Sequence, residues 1–491
     1  MLELLPVLSI LVSVVGAILI VIIGDKNPNL REAVSVVAGV LKFSFVSMLI
    51  PPFLRGEEIY LKIATVLPGI ELAFKVDGLG LLFAFGASFL WILTTFYSIG
   101  YMRGLKEHAQ TRYFACFALS LSSAMGIAFA ANLFTMFIFY EALTVVTYPL
   151  VSHHEDREGL EGGRQYIVYL LGTAKIFLFS AIVLTYILTG TLEFGKNGIF
   201  SSQIIESYKW LLQIMLILFI YGFNKSAIMP LHSWLPAAMV APTPVSALLH
   251  AVAVVKAGVF TVSRVLLNVY GTDTIKAIGM QDLVLFLTSF TIITASLIAI
   301  TRDDFKQRLA FSTVANLSYI VLGVAMLSPL GVLGGIIHIT MHAFGKITMF
   351  FVAGSVYVST GIKKISQLSG IGKKMPWTMS AFTVATLSMI GVPLTGGFIS
   401  KWYLVFGTLQ IENITLLSVF LVSTLLNAIY FIPIVYKAFF EKVNESNSYL
   451  LNRDIKENPF MVLPIVITAI GTIVLGVYPD LFLSIAKEVL K

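Results

Sequence analysis

One glutamate and a short series of lysines and histidines lie deep in long apolar stretches of this sequence. Glu141 sits in NLFTMFIFYEALTVVTYPLV and Lys225 in WLLQIMLILFIYGFNKSAIM. His250 and Lys256 share PVSALLHAVAVVKAGVFTV, and Lys401 follows the interrupted run MIGVPLTGGFISKWYLVF. A charged side chain at the centre of a bilayer costs about 2.5–3.5 kcal/mol on insertion scales. A chain that keeps several of them points to ion movement. Glu141 is the single carboxylate deep in any of these stretches, and a buried carboxylate beside a lysine keeps both groups charged. Separating the two favours release of the lysine's proton, so the expected pair Glu141–Lys225 reads as a two-residue switch. The competing reading is a static ion pair joining two helices. His338, His342 and Lys346 recur at i, i+4 and i+8, one above another on one helix face. Histidine titrates near neutral pH, so this stripe reads as a proton wire. Two alternatives stand beside it: core histidines held by hydrogen bonds, and a zinc site of the HxxxH type. The second lacks an HExxH glutamate or a third acidic ligand nearby, so no metal site is expected.

The elements that must position these groups are membrane helices. Of 491 residues, 57% are hydrophobic and only 12% charged, against about 45–50% and about 25% in soluble domains. One cysteine, Cys116, holds no iron–sulfur cluster, thiolate zinc site or intramolecular disulfide. The net charge of +7 is spread over loops, which argues against a nucleic-acid partner. No Rossmann fingerprint, P-loop or haem motif appears, and no cofactor is expected. The N-terminus has no basic n-region or small-residue cleavage pattern, so it reads as a first span and not a signal peptide.

Fourteen stretches approach the ~20 apolar residues a bilayer requires: 4–23, 33–52, 78–101, 113–131, 133–151, 165–189, 209–229, 243–270, 281–300, 309–327, 331–360, 378–405, 414–440 and 460–478. No loop is long enough for a soluble domain, so residues 1–491 read as one polytopic, all-α membrane domain. Loop lysines and arginines number seventeen on one side and eight on the other. The positive-inside rule then puts both termini outside. The seventh span breaks at Pro230, in NKSAIMPLHSWLPAAM, and the twelfth at Pro393, among Gly391, Gly396 and Gly397. Each break lies beside a lysine, and the two are five spans apart. Interrupted helices in matching positions imply an internal duplication with an ion site near the midplane; ordinary proline kinks are the alternative. Residues 1–112 would hold spans 1–3, 113–270 the first repeat (spans 4–8), 281–440 the second (spans 9–13) and 460–491 the last span.

The run Lys225-Ser-Ala-Ile-Met-Pro230-Leu-His232-Ser-Trp234-Leu-Pro236, with Ala241-Pro242-Thr243-Pro244-Val-Ser246-Ala-Leu-Leu-His250 after it, resembles the antiporter-like subunits of respiratory complex I. Mrp-type Na+/H+ antiporters and archaeal membrane-bound hydrogenases share this family. Tyr97-Ser-Ile-Gly-Tyr-Met102, Asp304-Phe-Lys-Gln-Arg308-Leu-Ala-Phe-Ser-Thr313 and His342-Ala-Phe-Gly-Lys346 extend the resemblance over most of the chain. The resemblance implies fourteen helices with an inverted five-helix repeat, and a medium-length member without a long lateral helix.

It also implies roles. Glu141 becomes the acid of the fifth helix, Lys256 a station on the eighth, and Lys401 the exit residue, where some members carry Glu. Snorkelling to an interface beside Trp402 and Tyr403 is the alternative for Lys401. His250 either faces an input channel or bonds a neighbouring helix. Lys175 departs from the family pattern; it tunes the field at Glu141 or faces a lipid-filled gap. His153 and His154, in a charged loop, read as solvated. Sodium prefers several oxygen ligands, and one deep carboxylate among lysines is a poor cage for it, so the expected cargo is the proton. The resulting expectation is a proton-translocating subunit of a redox-driven complex, such as a membrane-bound hydrogenase or complex I-like enzyme, in the cell membrane. The chain would do no redox chemistry itself. Its partners would be paralogous antiporter-like subunits, small helical subunits and a peripheral Fe–S/Ni module. The alternative is membership of a multi-subunit Mrp-type Na+/H+ antiporter without a redox partner.

Overall fold

The computed structural model describes residues 2–442 and 455–490. Arg453 and Lys491, counted above for orientation, lie outside them. Among the described residues, eleven helices are long and apolar enough to cross a membrane. Expected spans 1–3, 5, 6, 8–11, 13 and 14 fall on these helices. The fourth falls on the 19-residue helix Gln110–Ala128, and the seventh and twelfth on interrupted helices.

Side-chain caps set several helix starts. Asp77 accepts from Gly80 N, Asn132 from Thr135 N, Asp156 from Gly159 N and Ser328 from Gly331 N. Each satisfies an amide that a helix's first turn leaves without a partner. The helices Thr243–Ile278 and Pro329–Thr360 are buried throughout their apolar windows, and Phe305–Ala325 nearly so. The perimeter helices Leu2–Ile23, Pro28–Leu54, Arg157–Thr189, Ile414–Phe439 and Pro459–Val477 bury under half of theirs. They present Ile22, Ile187, Leu425 and Leu463 outward. The apolar exterior is a lipid-facing surface. Spans 8, 10 and 11, which carry most of the lysines and histidines, form the centre.

The breaks fall where proline and glycine predict them, and their freed backbone groups find side-chain partners. In the seventh span, Lys209–Gly222 ends and a 3₁₀ turn, Asn224–Ser226, follows. Trp234 Nε1 donates to Asn224 O (3.1 Å), Thr291 Oγ1 accepts from Met229 N (3.2 Å), and Tyr140 Oη accepts from Lys225 N (3.0 Å). The twelfth span is Pro376–Ile390 followed by Gly396–Gln410. Gly391, at φ +94°, makes the left-handed turn between them.

Two features depart from the sequence reading. A β-hairpin pairs Tyr60–Leu67 antiparallel with Ile70–Lys75, in a chain expected to be all-α. Its signal is present in the sequence, as a Pro68-Gly69 turn between runs rich in β-branched and aromatic residues. Two helices also contain π turns, Arg157–Thr189 at Ala174–Leu178 and Thr243–Ile278 at Leu249–Ala253 and Val265–Tyr270. The first holds Lys175 and the second His250. Such bulges concentrate at functional sites.

Candidate functional site

The structure corrects the expected Glu141–Lys225 pair. Glu141 meets Lys175, with Nζ and Oε2 2.8 Å apart. Lys225 Nζ instead donates to Tyr140 O (2.9 Å) and Thr144 Oγ1 (2.6 Å) and lies 3.2 Å from the centroid of the Tyr140 ring. Helix geometry explains the exchange. Tyr140 and Thr144, four residues apart, share the inward face of Leu133–Val151, and Glu141 is turned about 100° around the axis. It faces the sixth span, whose π turn carries Lys175. That lysine is 61% exposed, so the ion pair lies at the protein's perimeter and Lys225 at its centre.

Lys225 and Lys256 belong to elements in close contact. A side-chain carbon at Gly258 would run into Ser226 N and the Lys225 carbonyl carbon. Only a glycine lets span 8 approach the broken segment there. From Lys256 the contacts continue. Its Nζ is 2.6 Å from His342 Nδ1, across 86 residues of sequence. The His342 and His338 rings stack with centroids 5.5 Å apart, and His338 Nδ1 lies 2.8 Å from Ser400 Oγ. Lys401, next in sequence, donates to Met389 O (2.7 Å) and Ile390 O (3.1 Å), carbonyls released by the Pro393 break. Its ammonium therefore turns inward, toward the Tyr319 ring at 5.5 Å, and does not snorkel. Each of the two imidazoles has one nitrogen engaged and one, Nε2, without a hydrogen-bond partner. A ring in that state can accept a proton on one nitrogen and release one from the other.

Lys346 leaves this line and hydrogen-bonds Ser312 Oγ. His250 stands apart too, buried with both ring nitrogens unpartnered, 6.1 Å from the Tyr166 ring and 6.2 Å from the Trp234 ring. The lysines and histidines on spans 8, 11 and 12 have no ion-pair partner among the described residues. Their protons therefore repel one another in a low-dielectric interior, and a proton arriving at one favours departure from the next.

Sequence reasoning missed three groups. Lys42, in GVLKFSFV, is fully buried without a hydrogen-bond partner, its Nζ 4.9 Å from the Trp91 ring. The rule that found Lys225 also finds this residue. Arg264 makes a bidentate pair with Asp77 that ties span 8 to the start of span 3. His153, expected in solvent, is wholly buried in the loop after span 5. Burial there, together with the neighbouring His108 and His154, pulls its pKa down to about 3.

Fold and site together define a polytopic membrane protein with titratable side chains lined up through its centre. The chain belongs to the family described as "NADH:quinone oxidoreductase/Mrp antiporter, TM", which residues 130–427 match. It is an antiporter-like membrane subunit, homologous to subunits of complex I and of Mrp antiporters. It is 32% identical over 436 residues to the NADH-quinone oxidoreductase subunit N of Desulforudis audaxviator, covering 85% of this chain and 83% of that one. It is 31% identical over 351 residues to a Na(+)/H(+) antiporter subunit of Alkalihalophilus pseudofirmus, covering 68% of this chain but only 42% of that protein. Two solved complexes contain chains of the same fold. One is the Mrp complex from Dietzia sp. (TM-score 0.86, 20% identity, 99% of this chain and 96% of that one). The other is the membrane-bound sulfane sulfur reductase, an archaeal respiratory membrane complex (TM-score 0.83, 23% identity, 98% and 96%).

Proposed function

We propose that this chain moves protons through a larger, redox-driven membrane complex. The observation that carries the reading is the buried succession Lys256–His342–His338–Ser400–Lys401. It crosses from the eighth span to the twelfth on side chains able to exchange protons, with no cage of oxygens for a metal cation. Glu141 with Lys175, and Lys225 beside them, form the controlling end. His250, in its π turn, serves the input side, and Lys346 tunes the charge on its helix. A sodium path, if the complex has one, lies in a partner subunit.

The redox setting is supported by the relative of matching length, an NADH-quinone oxidoreductase subunit. The likeness to the Mrp complex supports the second reading, an antiporter assembly without a redox module. Affinity purification of the intact complex separates the two. Fe–S or nickel proteins co-purifying in fixed ratio are expected; a complex containing only Mrp-type membrane subunits would establish the second.

The two broken helices support the proposed inverted repeat of residues 113–270 and 281–440. With the basic loops inside, both termini face outward. A cysteine at Lys373, in a chain with Cys116 replaced by Ser, should react with an impermeant maleimide only in inverted vesicles. Reaction in intact cells would reverse the orientation.

A further inference from the structure

We propose that Glu107, His108 and His153 form a binding site for a divalent transition-metal ion of zinc's class, with His154 as a fourth donor. Glu107 and His108 follow span 3, and His153 and His154 follow span 5, so such an ion would clamp two loops on the same side of the protein.

The donor atoms of Glu107, His108 and His153 all lie within 4.8 Å of one another. Three imidazole nitrogens surround one carboxylate oxygen, Glu107 Oε2: His154 Nδ1 at 3.6 Å, His153 Nε2 at 3.8 Å and His108 Nδ1 at 4.0 Å. Ligands held tetrahedrally at 2.0–2.1 Å from zinc are about 3.3 Å apart. Closing the Glu107, His108 and His153 donors from at most 4.8 Å shortens each gap by up to about 1.5 Å, shared between two side chains; His154, outside that trio, would swing in from beside Glu107. These separations are too long for hydrogen bonds.

An independent observation concerns His153. It is fully buried, and neither ring nitrogen has a hydrogen-bond partner. A buried polar ring in that state is costly unless a ligand engages it. Its surroundings hold it in place. The His108 ring stacks on it at 4.9 Å, and Arg112, paired with Glu155 through Nη1, donates from Nη2 to its backbone oxygen at 3.2 Å. Several imidazoles with one carboxylate favour zinc or a similar ion over calcium or magnesium, which bind through oxygen. The clamp would anchor span 5 twelve residues beyond Glu141. It stands whether or not the chain moves protons.

The intact complex, titrated with Zn2+ and freed of loosely held ion by gel filtration, gives the test by elemental analysis. The parent should retain one more zinc per chain than the double variant His108→Ala/His154→Ala, whose changes lie on partly exposed side chains and leave the buried ring intact. Glu107→Gln should weaken zinc binding at least tenfold. Co2+ in place of Zn2+ should give the intense visible bands of a tetrahedral site in the parent only. Equal zinc in parent and variants, or none in the parent, would overturn the site.

Discussion

Glu141→Ala will lower proton translocation by about two orders of magnitude or more while the complex still assembles. A positioned proton-transfer group contributes about 10²–10⁴-fold, and among the described residues Lys175 has no other carboxylate partner. Glu141 acts on two lysines in different ways. It meets Lys175 directly, at 2.8 Å. It reaches Lys225 through its neighbour Tyr140, whose carbonyl accepts from Lys225 Nζ. Lys175→Met keeps the length of the side chain and removes its charge. If the perimeter pair is the switch, this change lowers pumping as Glu141→Ala does. If Lys225 alone is the functional partner, Lys175→Met pumps normally and Lys225→Met does not. Reconstituted vesicles driven by the complex's own reaction provide the measurement, with co-purifying subunits as the control for assembly. Pumping by Glu141→Ala at the parent rate would remove the switch from the mechanism.

Lys256→Ala and Lys401→Ala will each nearly stop proton movement, and the double variant will be no worse than either. Links in one series fail together, so their losses do not add in free energy as those of independent sites do. Lys401 needs a control because it also caps two carbonyls at the Pro393 break. Arginine supplies it. Lys401→Arg keeps a charged donor for Met389 O and Ile390 O but does not give up its proton in a protein. That variant should assemble normally and fail to pump, whereas Lys401→His, still able to titrate, should retain more activity than Ala. Single losses that add would mean parallel paths. A pumping Lys401→Arg would make the residue a structural cap.

The membrane class, eleven of the fourteen spans and both breaks were legible in the sequence for one reason: a bilayer offers backbone and charge no outside partner. Long apolar runs must be helices, a proline within one must leave carbonyls that other groups satisfy, and a lysine kept there must have a use. Lys225, Lys256 and Lys401 are readable on those terms, as Lys42 should have been. The stripe of His338 and His342 was readable from its spacing, because helix periodicity is local.

Pairing was not readable, because it depends on how helices rotate and approach one another. Glu141 differs from Tyr140 by one position, yet that step turns it from the centre, where Lys225 lies, toward a π turn on the sixth span. His342 meets Lys256 only because spans 8 and 11 pack together. His153 reads as solvated because nothing local shows that the loops after spans 3 and 5 bury it against each other. Apolar flanks declare locally that Lys225, Lys256 and Lys401 are withdrawn from water, but they do not reveal that His153 is buried or that Lys175 is exposed. Which of these groups touch follows from helix packing, since contacts between residues 34 to 86 positions apart are set by how helices rotate and approach, which no local pattern encodes.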